Sequence, residues 1–289
     1  MNFGYVYVAG SNSTDEFKAK ADFVCTGKND ELVIQKAIDK CVKTDKNVFL
    51  LNGKYSIDAL YDFGDNGPLT TICVPNAHRE IRIIGLSHEY GFQKSFDNGV
   101  VLYVSADAIM NTEIDNADVI RNAWSDKGIQ NGAALRLENL SVVLANNQHP
   151  VRCIDLRRTD RVEVKNVMLI SYGDSIAKAS DVGLGVAPPV PVKGCIGLTM
   201  TDGSNYAYSN YTNVDALGFY EGIQVGGEHV ICINCGATIG NYGFTFGNYP
   251  IHCGSNHPIT LITAWMRGIL IFRILVSGAE MTTVKAVGL

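Results

Sequence analysis

Between Leu135 and Thr263 the chain alternates apolar and polar positions in short runs, each closed by asparagine and one apolar residue. The copies read Leu135-Arg136-Leu137-Glu138-Asn139-Leu140, Val162-Glu163-Val164-Lys165-Asn166-Val167, Ser209-Asn210-Tyr211-Thr212-Asn213-Val214 and Val230-Ile231-Cys232-Ile233-Asn234-Cys235. Successive asparagines are 27, 47 and 21 residues apart. A weaker copy ending at Gly85 lies 54 residues before Asn139, twice 27, and another ending at Thr263 follows Asn234 by 29. Alternation predicts short strands, and a period of this size predicts stacked coils of a solenoid. The asparagines suit one recurrent turn, because asparagine tolerates the left-handed conformation and its amide can bond along the stack.

The pattern differs before the repeats. Tyr5 to Ala9 alternates like a strand. From Asp30 to Lys43, Val33, Ile34, Ala37, Ile38, Cys41 and Val42 fall on one face of a helix, with Asn29 as its cap and Asp30 and Glu31 at its positive end. Val48–Leu51 and Lys54–Ile57 read as a strand pair around the Asn52-Gly53 turn. No other segment predicts a helix.

Ala21-Asp22, Gly27, Asn29-Asp30, Ile34-Gln35, Ala37-Ile38 and Val48-Phe49-Leu50 with Gly53 and Tyr55 resemble the N-terminal cap of pectin-lyase-like proteins. The resemblance covers about the first 60 residues closely. It implies an all-β fold, a right-handed single-stranded parallel β-helix with an N-terminal capping α-helix. Val6-Tyr7-Val8-Ala9-Gly10-Ser11 is also similar to the opening of β-helical phage and prophage proteins. The expected organisation is one domain over 1–289: cap and first coil to 60, coils over 61–264, and a C-terminal cap or subunit contact over 265–289. Glu89–Gly99 and Tyr172–Lys193 interrupt the rhythm. Such insertions commonly sit on one flank and wall a groove.

Composition narrows the partners. A net charge of −5 argues against general affinity for nucleic acid or anionic membrane. No secretory leader is visible, which favours a phage or prophage product or another export route. The most apolar window, 259–276, carries Arg267 and Arg273, so no membrane span is expected. Eight cysteines in 289 residues do not form a disulfide scaffold.

Aligning the coils on their asparagines places candidate chemistry. Asp160 and Glu228 fall in one column two rungs apart, roughly 10 Å, with Arg161, Tyr208 and His229 in the next. Asp160, Glu228 and His229 are the candidate catalytic residues, a carboxylate pair with a tuning imidazole; the alternative is solvated turn residues. Arg157, Arg158 and Arg161 belong to a cationic run that could clamp the carboxylates or sulfates of a glycan, or be neutralised by Asp155, Asp160 and Glu163. Tyr208, Tyr220 and Tyr242 are candidates for stacking on sugars, and Glu221 aligns with Arg152 and Tyr242. The face that carries Asp155 and Arg157 has Gly197, Thr199, Gln224, Gly226, Thr245 and Gly247 as its column neighbours. Cys232, Cys235, His252, Cys253 and His257 have the spacing of zinc ligands, but the columns place both Cys232 and Cys235 in the core. No metal and no cofactor is expected.

The chain also lacks the polygalacturonase signatures and the calcium-binding aspartates of pectate lyases, so no catalytic residue carries over from the resemblance. The sequence reading is a polysaccharide-degrading enzyme, hydrolase or lyase, acting on an extended and acidic glycan. The alternatives are a non-catalytic glycan-binding phage tail or adhesion module and, below that, a structural spacer. Outward positions turn apolar at Ile231, Ile233 and Ile262. This strip calls for a cover, either the C-terminal segment or a homo-oligomeric contact such as a trimer.

Overall fold

A computed structural model describes residues 4–77, 79–88, 96, 98–124, 134–179, 189–200, 208–225, 229–238, 242–246, 264–266 and 269–271. For residues 208, 225, 229, 230 and 238, and for the strand residues beyond 241, only the backbone is described. The first part of the chain supplies β1 (Tyr5–Ala9), α1 (Asp15–Lys20), β2 (Phe23–Val24), α2 (Asp30–Thr44), β3 (Asn47–Leu50), β4 (Gly53–Ile57) and β5 (Leu69–Val74). The middle supplies β6 (Glu80–Gly85), β7 (Val100–Val104), α3 (Ala106–Ile109), β8 (Ala117–Asn122), β9 (Ala134–Leu144), β10 (Val151–Asp155), β11 (Arg161–Ile170) and α4 (Gly173–Lys178). Then follow β12 (Cys195–Thr199), β13 (Tyr208–Leu217), β14 (Glu221–Val225), β15 (His229–Ile233), β16 (Gly236–Thr238), β17 (Tyr242–Phe246), β18 (Ala264–Met266) and β19 (Ile269–Ile271).

The fold is β-rich with few helices, and it is built on two parallel sheets. One runs in the order β15-β13-β11-β9-β6-β3-β1-β2, with β4, β7 and β16 as side members; the other runs β17-β14-β12-β10-β8-β5. From β8 to β17 the chain passes back and forth between the sheets, so each pass adds a parallel neighbour to both. Every strand interior then finds its hydrogen-bond partners in the passes before and after it.

The asparagine columns hold. Lys165 pairs with Glu138 and Thr212, and Thr212 pairs with Ile233, which stacks Asn139, Asn166, Asn213 and Asn234 in register. All four are left-handed, with φ of 55°, 52°, 54° and 53°. The Nδ2 groups of Asn166, Asn213 and Asn234 donate to the Oδ1 of the asparagine one rung before, at 2.9, 2.9 and 2.8 Å. The bend redirects the strand, so residues on both sides of it face one core. Ile83, Leu137, Val164, Tyr211 and Cys232 meet Ile72, Ile120, Ile154, Leu198 and Ile223 of the other sheet inside one buried cluster.

Four local expectations are corrected. β3 and β4 do not pair with each other: β3 joins β1 and β6, and β4 joins β7, all in parallel. The Asn52-Gly53 segment is therefore a corner between successive strands, not a hairpin. The copy at Gly85 lies one rung from Asn139, not two, since Ile83 pairs with Leu137 and Ile84 with Glu138. The extra length is taken up at the corner between β6 and β7 and in the link to β9. Cys195 lies beside Val151, two positions from the expected Cys153, although both cysteines are buried. Asn29 caps α2 with left-handed backbone (φ 50°) and makes no side-chain cap bond.

Asp30 and Glu31 are wholly buried and tie loops to the start of α2. Asp30 accepts from the backbone N–H groups of Thr26, Gly27 and Ser56, and Glu31 accepts from the Asp58 N–H and the Tyr61 hydroxyl. Helix α2 packs against β1, β3, β4 and β5. On the second sheet's first strand, Gln35 exchanges two hydrogen bonds with the Cys73 backbone, at 2.9 and 3.0 Å, which satisfies an otherwise open edge.

Three short helices were not anticipated. α1 is capped by Thr14, whose hydroxyl accepts from the Phe17 N–H, and α3 is capped in the same way by Ser105. α4 opens the second insertion, where Tyr172 and Ile176 join Phe96 of the first insertion over Val101, Val143, Met168 and Ile170. The described parts of both insertions thus share one flank. Ile231 and Ile233 are 40% and 47% exposed, while Ile262 lies outside the described residues. β18 and β19 form an antiparallel pair beside β16.

Candidate functional site

The second sheet carries a column of buried charge. Cys73, Arg121, Asp155, Thr199, Gln224 and Thr245 follow one another across its rungs, and Asp118, Arg152, Ile196, Glu221 and Tyr242 follow beside them. The expected alignment of Glu221 with Arg152 and Tyr242 is present, and on the neighbouring face Asp155 stands beside Thr199 rather than Gly197, by the same two-position shift as Cys195. The upstream members of both columns form an ionic chain that spacing did not reveal.

Arg121 is fully enclosed and takes both oxygens of Asp65, at 2.6 and 2.8 Å. It also donates to the carbonyls of Pro68 and Asn122. Gly67 lies against the guanidinium so closely that a Cβ there would stand 2.8 Å from its central carbon. Asp65 in turn accepts from the Trp124 N–H at 2.8 Å. Burial raises the Asp65 carboxyl, but the bonds from Arg121 and Trp124 outweigh it and hold the group below its usual range.

Arg152 continues the chain with Asp118 at 2.5 Å and Asp115 at 2.5 Å. Asp155 takes Arg157 in a forked pair, with contacts of 3.0, 3.1 and 2.8 Å, and also accepts the Arg157 backbone N–H. A fork of this kind fixes the plane of the guanidinium as well as its position. The guanidiniums of Arg157 and Arg158 sit 5.6 and 5.0 Å from the centroid of the half-buried Trp124 ring. Among the described residues no carboxylate forms an ion pair with Arg158. The outcome is an indole with one neutralised and one available guanidinium beside it.

The expected catalytic residues fare differently. Arg157, Arg158 and Asp160 share the connection between β10 and β11, so Asp160 stands close in sequence to the indole platform and is half-buried. Arg161 begins β11 and pairs with Tyr208, which pairs with His229, as the columns require. Glu228 lies outside the described residues, as do the side chains of His229, Tyr208 and Tyr242. Tyr220 packs against the core, and its backbone N–H donates to the Cys195 carbonyl at 3.0 Å. Glu221 accepts from Gln224, which also accepts from the Thr199 hydroxyl.

Cys232 and Cys235 are core residues, and the Cys235 thiol donates toward the Tyr211 carbonyl at 3.6 Å. His252, Cys253 and His257 lie outside the described residues. Trp124, Asp65, Asp118 and Arg121 were missed because none belongs to the asparagine phrase. The one available signal was a tryptophan next to a strand containing both Asp118 and Arg121. Compared with family models, curated proteins and solved structures, the chain gives no match.

Proposed function

We propose that this chain is a right-handed parallel β-helix, capped at its N-terminal end by α2, that binds an extended, acidic polysaccharide and cleaves it. The supporting observation is Trp124 with the Arg157 and Arg158 guanidiniums beside it. An indole face stacks on the apolar face of a sugar ring, and a guanidinium without a carboxylate partner suits a uronate or sulfate. The passage of the chain between two parallel sheets, with the asparagine ladder along one corner, supports the β-helix. Asp160, Glu228 and His229 are the proposed acid–base groups: Arg161, Tyr208 and His229 pair in register, and Asp160 and Glu228 directly precede Arg161 and His229 in the sequence.

A non-catalytic binding module is the second reading. It is favoured by Asp65, which bonds the Trp124 backbone, and Asp155, which bonds Arg157 beside the ring, both being committed to guanidiniums. The test is a panel of acidic and neutral polysaccharides, read by binding, by new reducing ends and by absorbance of unsaturated uronates. Binding lost in Trp124→Ala, with cutting lost in Asp160→Ala and Glu228→Ala, is the expected result. Binding without cutting selects the module. No binding to any member rejects both readings.

A further inference from the structure

The ionic chain on the second sheet holds four carboxylates (Asp65, Asp115, Asp118 and Asp155) and three guanidiniums (Arg121, Arg152 and Arg157), and their pairing is unequal. Arg121 is committed to Asp65 and Arg157 to Asp155. Arg152 alone remains for both Asp118, on its Nε, and Asp115, on its Nη1. Asp115 is 68% exposed. Asp118 has no exposed surface, and its Oδ2 is buried without a hydrogen-bond partner, 4.0 Å from the Arg121 Nε. The Arg152 Nη2 is likewise buried without a partner. Asp155 Oδ2 approaches the same Arg152 Nε to 3.7 Å, so a charged Asp118 would face a second carboxylate across one guanidinium.

We propose that Asp118 is a positioning residue held as the neutral acid at neutral pH, and that its proton keeps Arg157 on Trp124. Burial is the main cause that pushes its carboxyl up, to about 8, with Asp155 adding to it and Arg152 opposing. Asp155 goes the other way. Burial raises it, and the hydrogen bonds and charge of Arg157 outweigh that and leave it low. Two neighbouring carboxyls whose surroundings push them apart divide into one acid and one anion. The groups around Asp118 are Arg121 from β8 itself, Arg152 and Asp155 from β10, Arg157 beyond it and Asp115 ahead of β8. Asp65 and the Cys73 thiol stand behind Arg121, and Thr70 is the neutral neighbour on β5.

When Asp118 ionises, its proton leaves to solvent and a second negative charge remains inside. Arg157 is the cation able to answer it, being 26% exposed where Arg121 and Arg152 are enclosed. Its inward shift would take one of the two guanidiniums away from the indole.

Trp124 reports on this directly. The chain has two tryptophans, so Trp265→Phe leaves Trp124 as the sole indole. Its fluorescence should show one transition near pH 8 without ligand, and Asp118→Asn, which mimics the neutral acid, should abolish it. If Asp118→Asn does not fold, Arg157→Gln in the same background should also abolish the transition. No transition in the parent, or an unchanged one in either variant, overturns the proposal. A ligand arm rests on the proposed glycan reading: affinity for a bound polysaccharide should fall about tenfold across the same transition and stay constant in Asp118→Asn. A fluorescence transition with no glycan bound would reject the glycan reading and leave the Asp118 proposal standing.

Discussion

Asn166 donates from its Nδ2 to the Oδ1 of Asn139 at 2.9 Å, and both residues are left-handed, at φ of 52° and 55°. One side chain thus does two things: it permits the bend and ties adjacent strands at the bend. Asn213 repeats the same bond onto Asn166. Asn166→Ala removes two hydrogen bonds of about 1 kcal/mol each and adds about 1 kcal/mol of left-handed strain. A loss of about 3 kcal/mol in urea unfolding is expected. Asn166→Gly keeps the backbone conformation and should recover the strain portion only. Equal losses for both variants would show that the bend imposes no strain.

Gly85 replaces asparagine where the ladder begins, and a Cβ there would lie 2.0 Å from the Asn139 carbonyl oxygen. The same crowding occurs at Gly197, 2.4 Å from the Gly222 carbonyl. Backbone on an adjacent rung cannot move aside as a flexible side chain can. Gly85→Ala and Gly197→Ala should each lower the melting temperature by several degrees, about 1 to 3 kcal/mol of overpacking. An unchanged melting curve for either would mean the rung spacing is looser than described.

Asp65 holds the enclosed Arg121, and its acid response has a definite sign. Its folded-state carboxyl lies below the usual range, so its contribution is present above the unfolded value, about 3.9, and is lost as pH falls through the lower folded value. Asp65→Asn leaves a buried guanidinium without its counter-charge and should cost about 3 to 5 kcal/mol at neutral pH. The variant should also show a flatter stability profile between about pH 5 and pH 2. A profile parallel to the parent's would remove Asp65 from the account.

Asp118 has the opposite sign. Its carboxyl is raised, so its contribution is fully present below the unfolded value, about 3.9, and is lost as pH rises through about 8. Asp118→Asn should therefore gain on the parent in denaturant midpoint as the pH is raised from about 5 to about 9. A constant difference between the two proteins would contradict it.

The cysteine thiols described are free and buried, and burial pushes Cys41 up to about 11 and Cys195 up to about 12. Thiolates are scarce at neutral pH in such surroundings. Neither Cys41 nor Cys195 should react with a thiol reagent in the native protein, and both should react fully in denaturant, as peptide mapping would show. Rapid native labelling of either would place it outside the core.

The ladder was legible because it depends on local facts. Asparagine accepts a left-handed backbone, alternation sets which side chains turn inward, and a recurring phrase places its copies in one column. Asn139, Asn166, Asn213 and Asn234 meet these conditions without knowledge of the rest. The same reasoning misjudged Gly85, since a spacing of 54 residues does not say whether another strand lies between β6 and β9, and none does. It read Asn52-Gly53 as a reversal, because the local turn signal is the same whether the next strand returns or moves on. The ionic chain was not legible at all. Asp65 meets Arg121 across 56 positions and Trp124 meets Arg157 across the gap between two passes, at separations that follow no repeat. By itself the sequence determined which residues bend the chain and which side faces inward, because conformational preference and polarity belong to single residues. Only the tertiary structure decided which charges share an enclosed space, because the cost of burying a carboxylate depends on which guanidiniums the rest of the chain brings to it.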